Sequence, residues 1–136
     1  TVIEAVYFRF PQSVEWNYIS FVALLIMLFG LFLRSWSFNS LREQFTWHID
    51  PRVNKYFVRD GPYRYLRHPG YTGALLTYVF SAIFLHTWYS VFINFILLMM
   101  AFVRRIYREE LILKKNFGKE YIEYCEKTKK MFPILW

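Results

Sequence analysis

Two clusters of side chains in this sequence are equipped to hold charged ligands. One is the run Gly61-Pro62-Tyr63-Arg64-Tyr65-Leu66-Arg67-His68-Pro69-Gly70-Tyr71. Its Gly-Pro and His-Pro steps each force the chain to turn, which presents Tyr63, Arg67, His68 and Tyr71 on one short stretch. An arginine held between two such turns is a planar fork of N–H donors, suited to a carboxylate or a phosphate. The other cluster is Arg104-Arg105-Ile106-Tyr107-Arg108-Glu109-Glu110. On a helix Arg105 and Glu109 stand at i,i+4 and can pair, while Arg105 and Glu110 lie about 140° apart around the axis. The two runs line one pocket only if some element of the chain brings them together.

That element lies between them. Residues 70–103 are 34 consecutive positions without a Lys, Arg, Asp or Glu. A soluble domain rarely spares so long a stretch from charge, whereas a bilayer demands it. As one helix it would run about 51 Å, against a hydrocarbon core of roughly 30 Å, so it is expected to fold back as two short spans. Polar and interfacial aromatic residues gather at His86-Thr87-Trp88-Tyr89-Ser90, the expected turn. A hairpin returns both its ends to one side, so the two clusters meet at the same depth. Without that meeting the plainer readings hold: Arg64 and Arg67 bind lipid headgroups and flag topology, and residues 104–110 are a solvated charge run beside the membrane.

Composition agrees with a membrane setting. Fifteen Phe, eleven Tyr and five Trp among 136 residues exceed what a soluble core needs and suit lipid-facing surfaces and interfacial belts. Of the 17 Lys and Arg, seven fall between Arg34 and Arg67 and nine between Arg104 and Lys130, with only Arg9 outside. By the positive-inside rule both windows are cytoplasmic. A net charge of +7 could serve nucleic acid, but no RNA- or DNA-binding module motif is present, and anionic headgroups explain the charge more simply. The lone Cys125 excludes an intrachain disulfide and a CxxC metal site. It reads as a small buried or interfacial side chain, and no metal is expected. The chain begins with Thr and has no signal peptide, so it is expected to be processed or to be the C-terminal part of something longer.

Residues 1–15, with Glu4, Arg9, Pro11 and Glu15, read as a loop or interfacial segment. Residues 16–36 read as a transmembrane helix, uncharged from Tyr18 to Leu33 and anchored by Trp16 and Trp36, with an amphipathic extension through Ser35–Gln44. Residues 37–70 form a cytoplasmic loop punctuated by Asp50-Pro51, Asp60-Gly61-Pro62 and His68-Pro69-Gly70. The hairpin follows over 71–103. Cytoplasmic C-terminal helices fill 104–136, one continuing the second span to a stop at Phe117-Gly118, another over Glu120–Lys127. The fold class expected is a single all-α integral membrane domain, 1–136, with about three transmembrane helices.

The run Gly61–Tyr71 resembles the GPYxxxRHPxY signature of the isoprenylcysteine carboxyl methyltransferases and their prokaryotic relatives. Arg105–Glu110, followed by Phe117-Gly-Lys-Glu-Tyr-Ile-Glu-Tyr124 and Phe132-Pro133, is similar to that family's RxxxEE…FGxxYxxY…(F/I)P ending. Leu41–Ile49, with Phe45-Thr46, resembles the segment after the preceding helix more weakly. The resemblance spans roughly residues 34–136, and two ordered motifs separated by an uncharged hairpin are far more specific than either alone.

The resemblance implies that the cytoplasmic loop and C-terminal helices form a pocket for S-adenosylmethionine, released as S-adenosylhomocysteine, without a Rossmann glycine motif. It assigns Phe57, Val58, Tyr63, His68 and Tyr71 to the cofactor, and Glu109 and Glu110 are expected to help position an arginine or the cofactor's cation. It assigns Arg67 to catalysis and Arg105 with Glu110 to the methyl-accepting end of the substrate. Lys55 stands where the family has His six residues before the motif glycine. Its ammonium can donate to the cofactor's carboxylate or ribose but cannot accept as a neutral imidazole does. The family's eukaryotic members have further N-terminal membrane helices, so this chain is expected to be a compact or a truncated form.

The function implied is methyl transfer from S-adenosylmethionine to a carboxylate of a lipidated acceptor held within the bilayer, with Arg67 or Arg105 gripping that carboxylate. The alternatives are methylation of a phospholipid amine and a non-catalytic membrane subunit that keeps the fold. The expected location is an integral membrane position with the site facing the cytoplasm, in the endoplasmic reticulum of a eukaryote or the inner membrane of a prokaryote. Membrane lipids are its expected surroundings, and the oligomeric state is left open.

Overall fold

The computed structural model describes residues 17–41 and 57–131, and the described residues build four α-helices and one short 3-10 turn. Helix α1, Tyr18–Leu41, begins where Asn17 accepts the backbone N–H of Ser20 on its side-chain oxygen at 2.9 Å, an N-cap bond. A 3-10 turn over Gly61–Arg64 leads to α2, Pro69–Phe84, whose first residue is the proline that an N1 position favours. Helix α3, Trp88–Phe117, runs 30 residues to Gly118, whose φ of +53° is the left-handed stop that glycine supplies. Helix α4, Lys119–Lys127, follows at once, and residues 128–131 lie as an extended strap against residues 65–68 through a parallel bridge of Leu66 with Lys129.

Helices α1 and α2 run antiparallel and in contact along their length. Ser37 faces Gly70 near one end, Gly30 and Gly73 cross in the middle, and Ser20 Oγ meets His86 Nε2 at 2.8 Å at the other end. At the crossing a Cβ on Gly73 would sit 2.6 Å from the Gly30 carbonyl oxygen, so the backbones touch only because neither residue has a side chain. Arg34 lies near the crossing and turns its guanidinium over the Phe38 and Tyr78 rings. Helix α3 packs on α2 through a core of Leu75, Ile106 and Met131, with Tyr71, Val79, Leu98, Met99 and Phe102 around it.

Helices α1 and α3 are each long and apolar enough to cross a membrane. In their most apolar stretches only 22% and 11% of the residues are buried inside the chain, which is the reverse of a soluble core helix. Phe21, Phe29 and Phe32 on α1, and Phe92, Ile96, Leu97 and Met100 on α3, turn outward, as side chains solvated by lipid do. Helix α2 has 16 residues, roughly 24 Å, somewhat less than the hydrocarbon thickness.

The turn of the hairpin is tighter than the expected His86–Ser90. It occupies residues 85–87, where His86 takes φ +52° and buried Thr87 donates to the Ala82 carbonyl at 2.9 Å. That bond ends α2 and lets the Thr87 carbonyl accept Val91 N–H at 3.1 Å, so Trp88, Tyr89 and Ser90 already form the first turn of α3. The segments 1–16, 42–56 and 132–136, with Trp16, Phe45-Thr46, Lys55 and Phe132-Pro133, lie outside the described residues.

Candidate active site

Three sides of a cluster converge at the end of the bundle away from the His86 turn. The 3-10 turn and the start of α2 supply Tyr63, Arg67, His68 and Tyr71; the stretch of α3 beyond Val103 supplies Arg105, Glu109 and Glu110; α4 and the strap close the third side. The strap fixes the backbone of the first cluster. Arg67 N–H donates to the Lys129 carbonyl at 2.7 Å, His68 N–H to the Lys130 carbonyl at 3.0 Å, and Lys129 N–H to the Tyr65 carbonyl at 3.2 Å. Thr72 Oγ1 donates to the Met131 carbonyl at 2.6 Å, and the Tyr124 hydroxyl to the Tyr63 carbonyl at 2.6 Å. Arg59 pairs with Glu120, joining the approach to the turn to α4.

The charged groups interlock across these elements. Arg67 Nη1 lies 3.0 Å from Glu110 Oε1, and both side chains are buried. His68 faces both carboxylates, Nδ1 at 3.6 Å from Glu109 and Nε2 at 3.5 Å from Glu110, distances of charge proximity rather than of good hydrogen bonds. Lys130 Nζ stands 3.8 Å from the other oxygen of Glu110. Glu109 accepts from Arg105 Nε at 3.1 Å and from the Tyr71 hydroxyl at 2.5 Å. The Arg105 guanidinium lies over the Tyr71 ring, which stacks in turn between His68 and Phe102.

Three features decide what the site can do. Among the described residues, Arg67, Arg105 and Lys130 set three cations against the two carboxylates Glu109 and Glu110. Second, among the described residues Arg67 Nε, His68 Nε2, Glu110 Oε1 and the Tyr121 hydroxyl are buried without a hydrogen-bond partner, and such groups are costly unless a ligand or water completes them. Third, burial pushes the phenols of Tyr63 and Tyr121 up, with neighbouring Tyr124 and Glu109 adding for the first and Glu110 for the second. Burial raises Tyr124 to about 12. These hydroxyls stay protonated near neutrality and are available as neutral donors, not as bases. Arg67 also lines an open depression of about 420 Å³ with Lys114, Ile122, Cys125 and Glu126.

The structure thus gathers Tyr63, Arg67, His68, Tyr71, Arg105, Glu109 and Glu110. Arg105 holds Glu109, the pair that their i,i+4 spacing allows, while Glu110 turns to Arg67 of the other cluster. Phe57 sits apart from the carboxylates, wedged against Phe117, Tyr121 and Tyr124 with the Arg59 guanidinium over its ring. Val58 beside it is half-buried. Lys55 lies outside the described residues. Sequence reasoning left out Tyr121, Tyr124 and Lys130. The two tyrosines were visible in the FGxxYxxY spacing; nothing in the sequence pointed to Lys130.

The model of the phospholipid methyltransferase family matches residues 18–120. The probable protein-S-isoprenylcysteine O-methyltransferase of Oryza sativa subsp. japonica is 30% identical over 128 residues, covering 93% of this chain and 67% of the relative. The protein-S-isoprenylcysteine O-methyltransferase of Schizosaccharomyces pombe is 31% identical over 133 residues, covering 93% and 56%. A solved structure of a eukaryotic intramembrane Ras methyltransferase, an isoprenylcysteine carboxyl methyltransferase, superposes with a TM-score of 0.84 at 24% identity over 98% of this chain. That likeness speaks for the fold. The chain spans about two thirds of the rice relative and 48% of the solved chain.

Proposed function

The chain belongs to the phospholipid methyltransferase family, with the isoprenylcysteine O-methyltransferases among its relatives, and on that premise we propose that it esterifies the carboxylate of a lipidated cysteine with a methyl group from S-adenosylmethionine. The observation that carries this reading is the buried Arg67, paired to Glu110 through one nitrogen and unpartnered at Nε, inside a cluster that has more cations than carboxylates among the described residues. Such a cluster favours an anionic acceptor over an ammonium.

The residues present fit the proposed donor molecule. The unpartnered Nε2 of His68 suits a polar group of that molecule, and Glu109 suits its positive centre. Tyr63, Phe57, Val58 and Lys55 are proposed to complete its surroundings. When bound, that molecule supplies an electrophilic methyl group on a sulfonium. The acceptor carboxylate is ionised near neutral pH, so the chain need provide no general base. What its residues contribute is alignment: Arg67 or Arg105 grips the acceptor carboxylate, Glu110 and Glu109 fix those guanidinium planes, and the aromatic wall of Tyr71 and Phe102 excludes water, effects that together reach several kcal/mol. We place α2 as a third, short membrane pass and the site on the cytoplasmic side, with the acceptor's lipid chain in the bilayer beside the helices.

The test is incubation of the purified protein with methyl-labelled S-adenosylmethionine and an S-prenylated cysteine bearing a free carboxylate. Label released as methanol by mild base marks the ester. Base-stable label on phosphatidylethanolamine would replace the reading with amine methylation. No transfer, together with no calorimetric binding of S-adenosylhomocysteine at millimolar concentration, would leave a non-catalytic subunit.

A further inference from the structure

The strap sets Lys130 beside the site's most buried carboxylate. Backbone bonds from Arg67 to Lys129 and from His68 to Lys130 hold it in register, and Met131, 2% exposed, plugs the following residue into the core. Lys129 faces solvent, while the Lys130 side chain, 28% exposed, reaches inward to Glu110. The two oxygens of Glu110 are divided: Oε1 faces Arg67 and His68, Oε2 faces Lys130. A carboxylate that leaned on Arg67 alone would cancel most of that arginine's charge. Sharing it with a second cation leaves the guanidinium able to attract another anion.

We infer that Lys130 is a positioning residue for acceptor binding: by holding the far oxygen of Glu110, it keeps the Arg67 guanidinium available to the acceptor's carboxylate. This rests on the carboxyl-methyltransferase reading above. Loss of the lysine charge should weaken binding of an acceptor that has a carboxylate and leave one without it unaffected. Arginine at the same place, with equal charge and longer reach, should restore the difference.

The experiment measures binding of an S-farnesyl-cysteine derivative as free acid and as its neutral carboxamide, in detergent with S-adenosylhomocysteine present. The proteins are the wild type, Lys130→Met, Lys130→Arg and, as a control for net charge, Lys127→Met on the exposed end of α4. The wild type is expected to prefer the acid. Lys130→Met should lose about tenfold of that preference, the equivalent of one unit in log affinity, while Lys130→Arg and Lys127→Met retain it. If Lys130→Met keeps the full preference, or loses acid and amide binding equally as a structural defect would, the inference is overturned and the parent reading stands. If the wild type does not distinguish acid from amide, both are overturned.

Discussion

Arg67 and Glu110 meet from positions 43 residues apart and are both buried, so neither charge is tolerable without the other or a substitute. The guanidinium does two things that a lysine ammonium cannot: it meets Glu110 through one nitrogen while leaving Nε directed elsewhere. Arg67→Lys keeps the charge and removes the fork. It should reduce methyl transfer by at least about 100-fold, roughly 2.7 kcal/mol of barrier, with the far-UV circular dichroism unchanged; near wild-type initial rates at saturating substrate would assign the acceptor's carboxylate to Arg105 instead. Tyr124 tests the support behind that pair. Its hydroxyl donates to the Tyr63 carbonyl, and burial raises its pKa to about 12. A raised value means the fold favours the neutral phenol, so this contribution is present below pH 10 and is lost as pH rises through 12. Tyr124→Phe should cost about 1 kcal/mol at neutral pH and make the fall of unfolding temperature between pH 10 and 12 less steep. The pairing of Arg105 with Glu109 was legible as i,i+4 spacing on one helix. The pairing of Glu110 with Arg67, and the approach of Lys130, depend on the strap's register against residues 65–68, which no local pattern encodes.

The helices carry the site by holding one another at fixed depth, and the contact between α1 and α2 is the closest in the fold. Alanine in place of Gly73 would gain up to about 1 kcal/mol of helix propensity, but its Cβ would stand 2.6 Å from Gly30 O and 2.8 Å from Arg34 N. Those are backbone atoms, so no side-chain rotation relieves the clash and the helices must separate. Overpacking of this kind costs about 1–3 kcal/mol, enough to outweigh the propensity gain. Gly73→Ala is therefore expected to lower the unfolding temperature in detergent and to reduce activity through the displaced Tyr71 and His68; an unfolding temperature at or above wild type would mean the two helices are not in backbone contact. Charge and hydropathy made the helices themselves legible: the uncharged stretch, the arginines that begin at Arg104, and the stop at Phe117-Gly118. The sequence pattern puts the start of the turn one residue late and its end three residues late because Trp88, Tyr89 and Ser90 look interfacial. The bonds from Thr87 to Ala82 and from Val91 to Thr87, which decide where one helix ends and the next begins, are invisible there. Nor did the two glycines announce their meeting, since they stand 43 positions apart in the chain.

For the molecule as a whole, the consequential arrangement is that both charged clusters sit at one end and the His86 turn at the other, with outward apolar faces between. The Arg59–Glu120 pair ties the approach to the first cluster to α4 on the same end, and Tyr89, 79% exposed, marks the opposite end. If α1 and α3 cross the bilayer, Asp60 and Glu120 must share one aqueous face and Tyr89 must belong to the other, because a charged segment crossing the hydrocarbon would cost several kcal/mol per group. Single cysteines at these positions, in a Cys125→Ser background that removes the natural thiol, make this measurable. In sealed vesicles of known orientation, a membrane-impermeant maleimide should label Asp60→Cys and Glu120→Cys from the same side and Tyr89→Cys only from the other or after permeabilisation. Labelling of Asp60→Cys and Glu120→Cys from opposite sides would separate Arg67 from Glu110 by the thickness of the bilayer, and with them the site and the function drawn from it.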